Sequence, residues 1–544
     1  MSSVPSTRVA VAGQLGVLFL GMSLLAVGQQ PPPPPPAPVP APANGPPAGV
    51  QELTRGPIHE AFGRPVVYDP HPGPVAPKEP PPPVEELPPG ERPAGDNVAW
   101  IPGYWAWDDE ANQFLWVSGF WREIPPGRAW VPGYWDKSPG GFQWVSGFWG
   151  PATGADTQYL PDPPQSLEAG PSSDPPAADQ IWVPGMWVWQ GVRYVWQPGF
   201  WIAGNPDWVW TPARYQWAPL GYTYVAGYWD FPLWRRGLLF APVRFTAGLP
   251  ATFVYTPRLV LDPSYLAYDL FVRPLTGCYY FGDYYANNYL TGGYYPWFSY
   301  QNSRFGYDPL FAHTDWVYGR QNINWEARLR EVYYHRRDVP TARPARLYSD
   351  YARGAAGEGG AVFIRPLADV RGLRDFPLKM EKLDAARVGE IARTARAVRD
   401  YGTQRARLER DAGATSGRVG PGGVRPAVQV RLPDAPRTVG VAPTGPRALP
   451  VHPVAPAADL SRKPEPRVAA PGGPGPVPQA SVAHPLPHPE QVIHPEFDRR
   501  EVGRPVAPAR PVAPPAAFAP HPVQPPITGV PHPAHVPTAP VRKR

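Results

Sequence analysis

The chain has 544 residues, of which 86 are Pro and 54 are Gly, and its formal net charge is only +6. A Pro and Gly share of this size is typical of low-complexity segments, so much of the chain is not expected to form a core. The single cysteine, Cys278, excludes an intramolecular disulfide and a cysteine-rich zinc site, and we expect it to be a small buried apolar residue.

The first 95 residues divide into two segments. Residues 1–28 are predicted to be a signal peptide, because Arg8 precedes the apolar run 15–27 and small residues follow that run. The run is short for a membrane span, so we expect the protein in the periplasm, in the cell envelope or secreted, with membrane contact only if this segment is retained. Residues 29–95 are rich in Pro and are predicted to be a disordered, extended linker.

Residues 96–229 repeat one short motif, Trp-x-x-Gly-x-Trp. Intact copies begin at Trp100, Trp116, Trp130, Trp144, Trp182 and Trp196, and degenerate copies begin at Trp210 and Tyr224. Most copies follow one another at a step of 14 residues, and a fixed period is strong evidence for a repeat array. A Pro-rich linker, 150–180, separates repeat block 1 (96–149) from repeat block 2 (181–229).

The repeats have the composition of β-strands, since Val, Trp, Tyr and Phe dominate and turn residues separate the copies. We therefore predict a mainly β fold in which successive repeat strands pair as an antiparallel meander. The two Trp residues of a copy are five positions apart, which places them on opposite faces of a straight strand. The Gly between them is expected to permit a β-bulge that brings both to one side, and alternation of Pro and Ser before this Gly indicates a 28-residue hairpin unit.

Four segments follow the repeats. Residues 230–340 are rich in Tyr and Phe and are expected to pack on the repeats, with a short helix at 325–338, and residues 341–377 are expected to be a loop region. Residues 378–411 place apolar residues at near-helical spacing among arginines, which predicts an amphipathic helix that docks on this chain, on a second copy or on a partner. Residues 412–544 are rich in Pro, Ala and His and are predicted to be a disordered tail without a metal site.

The sequence lacks the motifs of common enzyme classes: it has no H-E-x-x-H, no G-x-S-x-G, no P-loop and no dinucleotide-binding glycine pattern. A catalytic triad could be assembled on paper from His313, His335, Asp315, Asp283 and Ser299. Any protein of this size offers such a set, so we expect these to be ordinary polar residues. The chain is predicted not to be an enzyme and to need no cofactor.

The six intact copies resemble the WXXGXW (also called YXWGXW) repeat proteins, a family of exported bacterial proteins. The aromatic continuation and the Pro-rich tail resemble the longer versions from planctomycete-type bacteria. This family has no established activity, so the resemblance implies an exported location and a repeat architecture, and it carries over no catalytic residue.

Two functions are compatible with these features. The first is a non-catalytic structural or scaffold protein of the cell envelope. The second is a protein that binds a glycan, polysaccharide or peptidoglycan, by stacking sugars on the second Trp of each copy. Those residues are Trp105, Trp121, Trp135, Trp149, Trp187, Trp201 and Trp229, whose burial would favour the scaffold and whose exposure would favour glycan binding. An envelope polymer or protein is the expected partner, and nucleic acid is not.

Overall fold

A computed structural model describes residues 46, 49–152, 156–246, 252–301, 303–353, 363–370, 373, 376–415, 427–436 and 445–446. The predicted signal peptide and most of the predicted tail lie outside these residues. Short antiparallel strands predominate in the described part and the longer helices lie in its C-terminal half, which confirms the mainly β prediction. None of the described helices combines the length and apolar character that crossing a lipid bilayer requires.

The eight copies of the motif form four β-hairpins, two copies in each. Every copy contributes two strands, which are separated by the residue pair that ends in the motif's Gly or its replacement. The strands are Val98–Ile101, Tyr104–Asp108, Gln113–Val117 and Phe120–Glu123 in hairpin 1, Arg128–Val131, Tyr134–Ser138, Gly141–Val145 and Phe148–Pro151 in hairpin 2, Gln180–Val183, Met186–Trp189, Tyr194–Gln197 and Phe200–Ala203 in hairpin 3, and Val209–Thr211, Arg214–Ala218, Gly221–Val225 and Tyr228–Asp230 in hairpin 4.

The register of each hairpin places the aromatic residues of one copy opposite those of the other. In hairpin 1, Trp100 lies opposite Trp121, and Trp105 lies opposite Trp116. The equivalent pairs are Trp130–Trp149 and Trp135–Trp144, Trp182–Trp201 and Trp187–Trp196, and Trp210–Trp229 and Tyr215–Tyr224. This confirms the 28-residue unit. Within the described residues no strand of one hairpin pairs with a strand of another, so the meander closes after two copies.

The interruption in the middle of each hairpin is not the predicted β-bulge. In hairpin 1 the ladder stops after Ile101 and resumes at Tyr104, while the opposite strand skips Ser118 and Gly119. Two residues are skipped on each strand, whereas a bulge adds a residue to one strand only, so that prediction is wrong. Gly is needed because the strands approach closely here: a Cβ on Gly119 would lie 2.6 Å from Cζ2 of Trp100.

Residues 49–95 pack against the hairpins, where the sequence predicts a disordered linker. Ile58 and Phe62 are buried, and so is Val84. These apolar residues between the prolines bury area against the aromatic hairpins, which stabilises an ordered course for the segment. The short strands of this segment are Val50–Glu52, Gly56–Pro57, Val66–Val67, Val75–Ala76, Glu85–Glu86 and Glu91–Pro93.

Parts of the predicted linker 150–180 and of the predicted disordered tail 412–544 also form strands. Asp156–Leu160, from the linker between the repeat blocks, forms a strand that pairs with Gly221–Val225 of hairpin 4. On its other side it pairs with Val428–Arg431, from the predicted tail. Tyr159 and Leu160 of the middle strand are buried, so this three-segment contact adds apolar core that the Pro content of the sequence conceals.

The aromatic region 230–340 packs on the repeats. One core cluster contains Trp100 and Trp149 from hairpins 1 and 2 together with Trp297 and Trp325 from the later region, and buried Cys278 belongs to it. The strands after the repeats are Gly237–Leu238, Val243–Phe245, Val254–Tyr255, Leu259–Leu261, Leu270–Arg273, Cys278–Phe281, Tyr295–Pro296, Gly306–Tyr307, Ile364–Pro366 and Met380–Lys382. The helices before residue 385 are Pro263–Leu266, Asn287–Thr291, Trp297–Gln301, Pro309–Gly319, Trp325–Asp338, Tyr348–Ala352 and Leu367–Val370, with 3-10 turns at Leu233–Arg235, Ala267–Asp269 and Pro340–Ala342.

The predicted amphipathic helix spans Ala385–Thr415 and docks on hairpin 2 of the same chain. Its Tyr401 and Ala406 belong to a core cluster with Tyr134 of that hairpin. Arg405, which is buried, donates from Nη1 to the backbone carbonyls of Pro132 and Ser146, at 3.1 Å each. Of the three docking partners left open by the sequence, the structure shows this chain itself.

Candidate functional site

Cross-strand Trp pairs hold the two copies of each hairpin together. In hairpin 1 the ring centroids of Trp100 and Trp121 are 5.1 Å apart, and those of Trp105 and Trp116 are 5.2 Å apart, both with edge-to-face geometry. Such pairs add about 0.5–1.5 kcal/mol beyond the area that they bury. The two pairs lie on either side of the interruption, where the backbone amides of the motif glycines have no ladder partner.

In hairpin 1 these free amides bind the carboxylate of Glu86. The N–H groups of Gly103 and Gly119 donate to it at 3.0 Å, and Nε1 of Trp116 donates at 3.0 Å. Glu86 reaches this point from residues 49–95 and is buried. We call this arrangement, a glutamate carboxylate on the motif amides at the centre of a hairpin, a carboxylate socket.

Hairpin 2 has a similar arrangement, in which one motif amide and one indole donate to the carboxylate of Glu60. The N–H of Gly147 donates to Glu60 at 2.7 Å, and Nε1 of Trp144 donates at 3.3 Å. Arg64 adds an ion pair at 3.2 Å. Gly147 and Trp144 occupy the motif positions that Gly119 and Trp116 occupy in hairpin 1, so the repeat motif itself specifies the donors of the socket.

Hairpins 3 and 4 depart from this pattern in different ways. In hairpin 3 the N–H of Gly185 donates to Glu168, which is only half-buried and comes from the segment between the repeat blocks. Hairpin 4 has Ala213 in place of the first motif Gly, and the carbonyl of its remaining Gly227 accepts from Arg128 at 2.8 Å. A motif that loses a Gly thus presents a different chemistry at the centre of its hairpin.

Burial changes the protonation of the groups at the two buried sockets. It raises the pKa of Glu86 to about 7, although the three N–H donors act in the opposite direction. It also raises the pKa of Glu60 above its ordinary value. His59, beside Glu60, is fully desolvated, which lowers its pKa to about 3 and keeps the ring neutral.

The seven Trp residues predicted as candidate glycan contacts do not share one environment. Three of them are buried, namely Trp121, Trp149 and Trp229. The other four are half-buried, namely Trp105, Trp135, Trp187 and Trp201. The structure therefore does not bring all seven together on one open face.

Most of these indoles use their N–H group within the chain. The Nε1 donors and their acceptors are Trp105 to the Pro82 carbonyl at 3.0 Å, Trp121 to the Glu91 carbonyl at 3.0 Å, Trp135 to the Trp105 carbonyl at 2.9 Å, Trp149 to the Ala61 carbonyl at 3.0 Å, Trp187 to the Gln165 carbonyl at 2.9 Å and Trp201 to Ser173 Oγ at 3.4 Å. The acceptors of five of the six lie in the Pro-rich segments. In five copies the second Trp thus holds an extended segment against its hairpin.

One groove exposes part of two of these indoles. Trp105 and Trp135 line a cavity of about 960 Å³ that also contacts the long helix Ala385–Thr415. From this helix, Arg396 pairs with Glu85 at 2.6 Å. The groove combines aromatic faces with charged groups, which is the composition expected of a site for a polar ligand.

Two of the five side chains considered for a triad bind other parts of the chain, and the other three lie on three different helices. Nε2 of His313 lies 2.8 Å from the carbonyl oxygen of Asn205, and burial lowers the pKa of this histidine to about 4. Asp283 accepts from Arg346 at 2.8 Å. Ser299, Asp315 and His335 lie on the helices Trp297–Gln301, Pro309–Gly319 and Trp325–Asp338. Within the described ranges no three His, Cys, Asp or Glu side chains are grouped to hold a metal ion.

The glutamates of the sockets are the residues that sequence reasoning missed. Glu60 and Glu86 lie in the segment predicted as a linker, and Glu168 lies in the segment between the blocks. Each follows an apolar residue within two positions, as in Val84-Glu85-Glu86. This local pattern does not identify the distant amides that bind the glutamates.

The comparison with known families agrees with the division into hairpins. The WXXGXW repeat model, which describes two copies, matches residues 95–122, 127–149, 178–201 and 205–229. Each match covers one of the four hairpins. None of the curated proteins and none of the solved structures that were compared matches the chain. Within residues 95–229 the chain therefore carries repeats of the WXXGXW family.

Proposed function

We propose that the protein is an exported, non-catalytic scaffold protein of the cell envelope. The observation that supports this role is the use of the repeat indoles: three of the seven second Trp residues are buried, and six donate their N–H group to acceptors in the same chain. The aromatic residues of the repeats therefore hold the Pro-rich segments of the same chain in place. Export and an envelope partner are proposed from the sequence of residues 1–28 and from the family resemblance.

Acrylamide quenching of Trp fluorescence tests this role on the full chain. Buried indoles with internal hydrogen bonds are shielded from the quencher, so we expect weak quenching that peptidoglycan or other envelope polysaccharides leave unchanged. Unfolding in urea should raise the quenching strongly. Polysaccharide-dependent protection of the folded protein would contradict a purely structural use of the repeats.

Glycan binding is a second candidate function, and the groove beside Trp105 and Trp135 favours it. Half-buried indoles of this kind offer one face for sugar stacking, and Arg396 and Glu85 offer polar contacts at the rim. If this function is correct, protection by polysaccharide should disappear in Trp105→Phe and persist in Trp187→Phe. The second variant is the matched control, since Trp187 is the equivalent half-buried residue of hairpin 3 and lies outside the groove.

A further inference from the structure

The segments that occupy the sockets of hairpins 1 and 3 are bound in the same order. In hairpin 1 we call Trp105, in the strand pair next to the turn, the inner indole, and Trp121, in the pair at the open end, the outer indole. Trp105 donates to the Pro82 carbonyl, and Trp121 donates to the Glu91 carbonyl. Between these two contacts, Glu86 enters the socket. The bound segment is extended and begins with a run of prolines at 80–83. Hairpin 1 thus binds a proline-rich segment at three points, and the middle point is a glutamate.

Hairpin 3 repeats this order with residues 161–176, which we call the strap. Its inner indole, Trp187, donates to the Gln165 carbonyl at 2.9 Å, Glu168 accepts from the motif amide, and its outer indole, Trp201, donates to Ser173 Oγ at 3.4 Å. The strap also carries a proline pair, at 163–164, four residues before its glutamate. Two segments without a common repeat sequence therefore meet the same three contacts.

The two bound segments differ in how firmly the rest of the protein holds them. Glu85–Glu86 pairs as a strand with Val254–Tyr255, and the N–H of Leu87 donates to the Tyr255 carbonyl at 2.8 Å. Most of the strap is exposed, and Leu167, next to its glutamate, is 60% exposed. A segment with little buried apolar area opens at low free-energy cost, so the strap is the occupant that leaves most readily.

We propose that hairpin 3 is a binding site for an extended, proline-rich peptide with a central glutamate, supplied by a partner protein, and that the strap is the internal occupant which this peptide displaces. The proposal names a partner for the scaffold role proposed above and rests on that role. A proline-rich segment is already extended in solution and loses little conformational entropy on binding. The carboxylate supplies the charge that the amide of Gly185 binds, and the two indoles bind a main-chain carbonyl before it and a hydroxyl after it.

The chemistry favours a peptide over a glycan at this hairpin. Trp187 donates to a main-chain carbonyl three residues before the glutamate, and Trp201 donates to a side-chain oxygen five residues after it. This spacing is set by an extended polypeptide. Ser166 and Pro161 add main-chain contacts, to Asp69 at 2.9 Å and to the hydroxyl of Tyr194 at 2.7 Å, which a peptide of the same form can reproduce.

The experiment uses a fluorescent peptide with the sequence of residues 161–176 and measures its binding by anisotropy. Three full-length proteins are compared: the wild type, Glu168→Gln and the matched control Glu86→Gln. Because an internal segment competes at millimolar effective concentration, we expect Glu168→Gln to bind the peptide at least about tenfold more tightly than the wild type does. Glu86→Gln should bind like the wild type, because strand pairing still holds its segment in place.

A second peptide, with Gln in place of the glutamate, decides whether the carboxylate is read. It should bind Glu168→Gln at least about tenfold more weakly than the glutamate peptide. Equal binding of both peptides, or no saturable binding of the glutamate peptide to Glu168→Gln, would overturn the proposal. Either result leaves the quenching test of the scaffold role unaffected, so the two proposals can fail separately.

Hydrogen exchange on the wild type tests the proposal without a variant that could misfold. Amide hydrogen exchange at 166–170 should be at least about a hundredfold faster than at Leu87. Added glutamate peptide should keep the Gly185 amide protected while exchange of the strap amides accelerates. Strap amides that exchange as slowly as Leu87 would show that this segment does not leave hairpin 3, against the proposal.

Discussion

The sockets of hairpins 1 and 2 and the socket of hairpin 3 are built from one motif but sit in different surroundings. In hairpin 2 the amide of Gly147 donates to buried Glu60. The residues just before the two motif glycines of this hairpin, Pro132 and Ser146, accept from Arg405 through their backbone carbonyls. In hairpin 3 the amide of Gly185 binds Glu168, which stays half-buried. The repeat thus specifies the donors, and the segments outside the repeat decide whether the bound carboxylate is a structural element or an exchangeable one.

The largest expected effect comes from removing Glu60, and removing Glu168 is its comparison. Glu60→Ala leaves the buried donors of Gly147 and Trp144 and the cation of Arg64 without this acceptor, so we expect a loss of about 4 kcal/mol in the free energy of unfolding. Glu168→Ala should cost less than about 1 kcal/mol, because water can replace a half-exposed carboxylate. Urea unfolding followed by circular dichroism measures both, and equal losses would remove the distinction between the sockets.

The next effect is the pH dependence of the buried socket in hairpin 1. Since burial raises the pKa of Glu86 to about 7, the protonated carboxyl is the form that folding favours. Its contribution is complete below the ordinary pKa of 4.5 and is lost as the pH rises through 7, a total of about 3 kcal/mol. Wild type should therefore lose stability relative to Glu86→Gln between pH 5 and pH 8. A difference that stays constant over this range would show that folding leaves the pKa of Glu86 at its ordinary value.

The smallest effect concerns the close approach at the motif glycines. A Cβ on Gly147 would lie 2.4 Å from Cζ2 of Trp130, and a Cβ on Gly199 would lie 2.2 Å from Cζ2 of Trp182. Trp130 is buried, whereas Trp182 is half-buried and therefore less tightly enclosed. Gly147→Ala should therefore cost about 2 kcal/mol and Gly199→Ala about half of that. Thermal unfolding compares the variants, and the reverse order would indicate that the backbone, rather than the indole, limits both sites.

The sequence was sufficient for the pairing of the repeats into hairpins, although not for the interruption inside each hairpin. Hairpin pairing follows from contacts within 28 residues, and the fixed positions of Trp100, Trp116 and their equivalents repeat those contacts four times. The helix at 325–338 was also predicted with the bounds that the structure gives. Such a local pattern can be detected in a single sequence because each copy repeats the same residues at the same spacing.

The candidate sites could not be predicted because they depend on pairs far apart in the chain. Glu60 meets Gly147, 87 positions away, and Arg405 meets Pro132, 273 positions away. The composition of residues 49–95 favours disorder, and only the aromatic surface contributed by the hairpins reverses that preference. Tertiary contacts of this kind leave no periodic trace in the sequence.

The pairing of copies two by two has a consequence for how such an array can change. Deleting a single copy from within residues 96–229 would leave the other copy of that hairpin without its paired indoles and with unpaired strand edges. Deleting both copies would remove a complete hairpin. Only the gain or loss of two copies together, a step of about 28 residues, would therefore keep every hairpin paired, and the even number of copies in residues 96–229 meets this condition.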